Sequence, residues 1–412
     1  MNNKWVRAAI PALLIHCSIG TVYCWSTFKE AIADRIGVST FATGWAFSLA
    51  IFFLGMSAAF AGKIVEADIH RSSIISCICF TTGMIGTGLV IQFCTGAAAL
   101  IGIYLFYGCI MGIGLGVGYI TPVKTLMLWF SEQKGLATGI SIMGFGLAKA
   151  IATPIMELLQ GRFGISAMFY ILGAIYFVMM FIGHLLLKKP EGWVEDAAKN
   201  ESFKLKPLLH NNIFVGIWII FYLNIHCGLM LITYEKQILN STFKDMAILT
   251  AIISFVPSIT AACNALGRIG YSTISDKMKD RSLVYQIIFT SCIAACVITL
   301  LLSFHVNIIF RIMIILLLMI INLGYGGGFS TLPALLSSRF GMDNISKIHG
   351  ITLTAWAAAG ITGNNAAELL LNVSGTNYNV VILTAGGLYV VALIVCILLV
   401  KDKAGKAAKT EA

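Results

Sequence analysis

The sequence predicts an all-α membrane protein with twelve transmembrane helices in two halves of six, and three observations predict it. The 412 residues are 58% hydrophobic and 11% charged, far more apolar than a soluble chain of that length. Apolar runs of about 20 to 30 residues alternate with short polar connections, so each run can cross the hydrocarbon core as a helix. The longest connection, Lys188 to Asn211, follows the sixth run and carries five lysines and two prolines.

The spans are expected at 5–28, 40–65, 72–94, 97–130, 135–160, 165–187, 212–234, 246–274, 283–304, 308–338, 348–372 and 377–400. This gives an N-terminal six-helix bundle (1–187), a cytoplasmic linker (188–211), a C-terminal six-helix bundle (212–400) and a cytoplasmic tail (401–412). The first run is too long for a signal core and lacks a small-residue cleavage site, so no removable signal peptide is expected.

Basic residues set the orientation. With the N-terminus inside, about 19 Lys and Arg gather on the cytoplasmic side, against about 6 outside (Lys29, Arg35, Arg162, Lys236, Lys244, Arg311). Both termini are therefore expected in the cytoplasm, with the protein in the cell's inner membrane. The net charge of +10 does not mark a nucleic-acid binder, because the basic residues sit in ones and twos at the ends of apolar runs. The eleven Cys show no C-x-x-C pair and no Cys/His group with zinc spacing, so neither a disulfide framework nor a metal is implied. No cofactor motif is recognisable, and no nucleophile stands in a pattern with a base, so an enzyme is not expected.

The halves repeat each other. The fourth run reads Gly114-Leu-Gly116-Val-Gly118-Tyr119 and then Pro122; the tenth reads Gly324-Tyr325-Gly326-Gly327-Gly328-Phe329 and then Pro333. Such glycine ladders serve close helix packing alone, or packing together with the lining of a pore. A parallel repeat with its site between the halves is one recurrent transporter plan. Cytoplasmic turns pair acids with basic residues in both halves, around Glu66 in one and Asp276 in the other. Such pairs can lock a helix end in one state and release it in another, which makes Glu66 and Asp276 gating candidates.

The charged groups inside the runs point to the ligand. Lys124, Lys149 and Arg268 lie within spans, whereas Glu157 and Glu368, the carboxylates inside runs, lie toward outer ends. A permanently charged guanidinium deep in a membrane helix is a site by default, and an interior of cations without mid-depth acids suits an anion. Lys124 is close enough to the cytoplasmic end to snorkel. Helix rise puts Arg268 roughly 12 Å and Lys149 roughly 21 Å above the cytoplasmic plane, too far apart to clamp one small diacid. A single carboxylate held by Arg268 is therefore favoured, with Lys149 as an entry or coupling group. His16 and His226 are candidates for proton coupling, the alternative being a histidine held by a helix carbonyl.

Several motifs together resemble the oxalate/formate antiporter family of the major facilitator superfamily. They are Gly20-x-x-Tyr23-x-Trp25-Ser26-x-Phe28, the Gly114–Pro122 ladder through Trp129-Phe130 to Lys134-Gly135 and Gly139, then Gly144-Phe-Gly146, Arg268 with Ser275-Asp276-Lys277, and Gly324–Pro333 with Phe340-Gly341. The resemblance covers nearly the whole chain. It implies exchange or proton-linked transport of small carboxylates by alternating access of two six-helix bundles, with Arg268 binding the anion. It also implies an aromatic lining of Tyr23, Trp25, Tyr119, Tyr325 and Phe329. The oxalate transporter carries a lysine where this chain has Trp356, and the loss of a second cation favours a monocarboxylate.

The expected function is secondary transport of formate, pyruvate or lactate type, by a monomer that also binds protons if coupled to them. One alternative is an oxalate or dicarboxylate:formate exchanger using Arg268 with Lys149. Another is a membrane anion sensor that moves nothing.

Overall fold

A computed structural model describes residues 3–193, 203–244, 255–375 and 377–400. The middle of the linker, the expected start of the eighth span at 246–254 and the tail from 401 lie outside the described residues.

Every regular element among the described residues is helical. The spans are α1 (Trp5–Cys24), α2 (Thr40–Ala67), α3 (Ile69–Phe93), α4 (Gly96–Trp129), α5 (Lys134–Phe163), α6 (Ile165–Leu186) and α7 (Asn212–Ile232). There follow α8 (Val256–Lys277), α9 (Ser282–Leu302) and α10 (Ile308–Phe340). Next is α11, in two segments (Ile345–Thr352 and Thr354–Ser374), and α12 (Tyr378–Val400) closes the series. Ten of these are long and apolar enough to cross a membrane. The other two, α8 and α11, carry Arg268 and Trp356. Their polar residues lower their hydropathy.

Side-chain caps set several helix starts. Ser39 Oγ accepts from Ala42 N, Asp68 from the backbone N–H groups of His70 and Arg71, and Asn211 from those of Ile213 and Phe214, which satisfies donors a first turn leaves unpaired. The first helix does not stop near Phe28 as expected. It continues through a 3₁₀ turn (Gly20–Cys24) into Trp25–Ile36. No breaker intervenes before Gly37, whose φ of 73° ends it in a left-handed cap.

The chain divides into two compact units: residues 1–201 with 340–361, and residues 202–339 with 362–412. Within the first, Gly116 lies against the Leu54 carbonyl and Ser57, and Gly114 against the backbone of Phe80, so the ladder of α4 packs on α2 and α3. Within the second, Gly267 of α8 meets the Leu323 carbonyl and Gly326 of α10 meets the Asn264 carbonyl. A Cβ at either position would collide with backbone. This close crossing seats the polar helix α8 on the glycine-rich stretch of α10.

Two sequence expectations about charge are corrected. Glu66 lies inside α2 rather than beyond it, and is 1% exposed. Lys124 does not snorkel; it is 2% exposed and forms an ion pair with Glu66. The second carboxylate oxygen of Glu66 accepts the Ser346 N–H at 2.8 Å. A buried carboxylate close by holds the ammonium where the water interface otherwise would.

Candidate functional site

Most of the predicted binding residues fall into two clusters, one in each unit. In the first unit, Phe145 is the hub. Its ring meets Tyr23 edge-on at 5.4 Å, Tyr119 at 5.7 Å and Trp356 at 5.8 Å. Tyr119 contacts Trp356 at 5.4 Å and His349 at 5.9 Å, and His16 stacks on it at 5.4 Å. Such T-shaped pairs set a ring's positive edge against its neighbour's negative face. The backbone of Phe145 approaches α1 at Gly20, where a side chain would clash with the Phe145 carbonyl.

Trp25 stands apart from this cluster. Its indole N–H donates to the Thr43 carbonyl at 3.1 Å and its ring lies 4.1 Å from Tyr107, beside Met84, Met111, Met156 and Met168. Lys149 is half-buried on α5, within electrostatic reach of Cys24.

His16 makes a double contact. Its Nδ1 lies 2.8 Å from both the carbonyl and the hydroxyl oxygen of Ser141, and its Nε2 lies 3.1 Å from the Tyr119 carbonyl. A histidine met by helix carbonyls was the alternative to a coupling role in the sequence, and these contacts have that form.

In the second unit, Arg268 is 1% exposed. Its Nε donates to Asn264 Oδ1 at 2.9 Å, one turn back on α8, and its Cζ lies 5.4 Å from the Phe329 ring centre. Phe329 in turn meets Tyr325 and Phe221, each at 5.1 Å. The planar guanidinium is thus fixed along one edge and supported on one face by an aromatic ring, a geometry that arginine fits and lysine does not. His226 on α7 has its Nδ1 3.0 Å from Thr362 Oγ1 and 3.3 Å from the Tyr222 hydroxyl. At the cytoplasmic turn after α8, Asp276 pairs with Arg281 at 2.7 Å. No group of three or more His, Cys, Asp or Glu able to hold a metal occurs among the described residues.

The model of the Major Facilitator Superfamily matches residues 12–364. The chain belongs to that superfamily. It is therefore a multi-pass membrane transporter with the superfamily's all-helical, twelve-span fold. Among relatives, it is 25% identical over 360 residues to the uncharacterized MFS-type transporter YhjX of Escherichia coli (strain K12), covering 85% of this chain and 84% of that one. It is 22% identical over 386 residues to the oxalate:formate antiporter of Oxalobacter formigenes, covering 92% and 87%. It is 21% identical to the apicoplast pyruvate carrier 1 of Toxoplasma gondii, covering 87% and 83%. Of solved structures, a bacterial homologue of the iron transporter ferroportin superposes with a TM-score of 0.72 at 12% identity, covering 95% and 98%. The proton:xylose symporter XylE superposes with a TM-score of 0.71 at 13% identity, covering 95% and 96%. At such identities the structures speak for the fold alone.

Seen in this superfamily member, three residues escaped the sequence reading as site components. Phe145 was visible only as an aromatic between two glycines, Gly144 and Gly146. Asn264 stands four residues before Arg268, a spacing that places both on one helix face. His349 stands seven residues before Trp356, a spacing that returns to the same helix face, and both rings meet Tyr119.

Proposed function

We propose that this chain is a secondary active transporter of small carboxylates, of formate, pyruvate or lactate type. Arg268 receives the carboxylate through a charge-assisted contact. The observation that carries this reading is the buried guanidinium, oriented by Asn264 and backed by Phe329. In a site of low polarity such a cation binds an anion far more strongly than it would in water. The relatives named for oxalate and formate and for pyruvate support the same chemical class.

Tyr325 and Phe329 accompany Arg268 in the second unit, and Tyr23, Trp25, Tyr119 and Trp356 are the aromatic substrate-contact candidates of the first. Coupling and gating fall to Lys149, His16, His226, Glu66 and Asp276. Alternating access is provided by the bundles 1–187 and 212–400, in an inner membrane with both termini cytoplasmic, as the distribution of basic residues favours.

The test is uptake by purified protein in proteoliposomes, with radiolabelled formate, pyruvate, lactate and oxalate. Wild type should carry at least one monocarboxylate, and Arg268→Gln should carry none at equal reconstitution. Uptake unchanged in Arg268→Gln refutes the assignment. Oxalate that outcompetes every monocarboxylate, with loss on Lys149→Gln, would favour the exchanger reading that the antiporter relative supports.

A further inference from the structure

The contact of His16 and His349 with the same Tyr119 ring is more than a wall of the aromatic cluster. His16 is completely buried and His349 is 2% exposed. The two rings each meet Tyr119, at 5.4 and 5.9 Å, close enough for charge on one to act on the other. The surroundings of His16 offer partners to two protonation states. In the neutral ring, Nε2–H donates to the Tyr119 carbonyl while Nδ1 accepts from the Ser141 hydroxyl. In the imidazolium, Nδ1–H donates to the Ser141 carbonyl and Nε2–H still donates to Tyr119. Carbonyls only accept, so a ring with one carbonyl at each nitrogen is satisfied on both sides only when doubly protonated. The serine hydroxyl supplies the alternative by turning. His226 differs, because the partners of its Nδ1 are hydroxyls.

His349 Nε2 is buried with no hydrogen-bond partner among the described residues. A buried polar atom in that condition is costly unless something fills its need during function. Charged and titratable groups stand near both rings. On the elements packed against His16 these are Tyr119, with the adjacent Cys17 on its own helix and Lys149 two turns beyond Ser141 on α5. On the elements around His349, Glu66 and Lys124 form an ion pair, and the Lys347 ammonium, which donates to Asn344 Oδ1, keeps its positive charge.

The geometry points to a proton-binding site at His16 and His349 that holds one exchangeable proton between them and links it to anion movement. Two imidazolium ions in so dry a place repel each other, which limits the pair to a single charge. The proton enters from water onto an imidazole nitrogen lone pair and leaves by the reverse step, with no other bond changed. This inference rests on the transporter reading given above, and makes it one of proton-linked carboxylate movement.

Two measurements test it on the full-length protein. The first is nitrogen NMR of isotope-labelled histidine in nanodiscs, assigned with His16→Gln and His349→Gln. The His16 and His349 signals should together take up one proton between about pH 5 and pH 8. Neutral rings throughout that window, or two protons bound at once, would overturn the site. The second is the ratio of radiolabelled pyruvate, lactate or formate entry with an imposed pH gradient to entry without one. Wild type should raise that ratio above unity, and each substitution should return it to unity. A raised ratio that survives both substitutions overturns the proposal. If no member of the panel is carried while the rings still take up their proton, the carboxylate reading fails and the proton site stands.

Discussion

Lys124 and Glu66 form an ion pair with side chains 2% and 1% exposed, and Glu66 also accepts the backbone N–H of Ser346 at 2.8 Å. One carboxylate thus joins α2 to α4 and to the start of α11 within the first unit. Truncating one partner strands the other charge in a dry interior, at a cost of about 3–5 kcal/mol. Lys124→Met and Glu66→Met should each lower the melting temperature in detergent, and the double substitution should recover most of the loss. A double variant less stable than either single one would show that the pair is not what holds these helices.

Arg268 is held by Asn264, so the two should not be equally important. Arg268→Lys keeps the charge but loses the planar fork, and uptake should fall by about 10- to 100-fold, as expected for a charged hydrogen bond worth about 1.5–3 kcal/mol. Asn264→Ala removes only the orienting contact and should raise the half-saturation concentration by about tenfold, or about 1.4 kcal/mol. Transport kinetics in proteoliposomes decide the order, which is reversed if Asn264 is the primary anion contact.

Gly267 and Gly270 lie on the same helix in different surroundings. A Cβ at Gly267 would strike the Leu323 backbone, whereas nothing lies within 4 Å of the one at Gly270. Gly267→Ala should cost about 1–3 kcal/mol through a forced shift of backbone, and Gly270→Ala should leave stability within about 0.5 kcal/mol of wild type. Paired thermal melts would show equal losses if the α8–α10 crossing were not close-packed.

Asp68 caps α3 from an exposed position. The backbone N–H of Arg71, then that of His70, holds its carboxyl below the ordinary value of 3.8. A depressed folded pKa gives stability that is present above the ordinary value and is lost as pH falls through the folded one. Acid should therefore loosen this cap only below about pH 4. Asp68→Asn should keep the cap and flatten the pH response, while Asp68→Ala should cost about 1 kcal/mol at neutral pH. Hydrogen exchange of the first turn of α3, followed against pH, reads both effects.

The run of apolar residues by itself determined the helical class, the number of spans and the placing of Arg268 within a helix, because each is a local property of length and hydropathy. The same pattern announced the glycine ladders and set Asn264 one turn from Arg268. Only the tertiary structure decided that Lys124 meets Glu66, 58 positions away, and that Phe145, Tyr119, Trp356 and two histidines share one cluster while Trp25 turns to Tyr107. Hydropathy reports how a segment prefers lipid to water. Which faces of distant helices meet is set by side-chain packing across the bundle, and that information is spread over the whole chain.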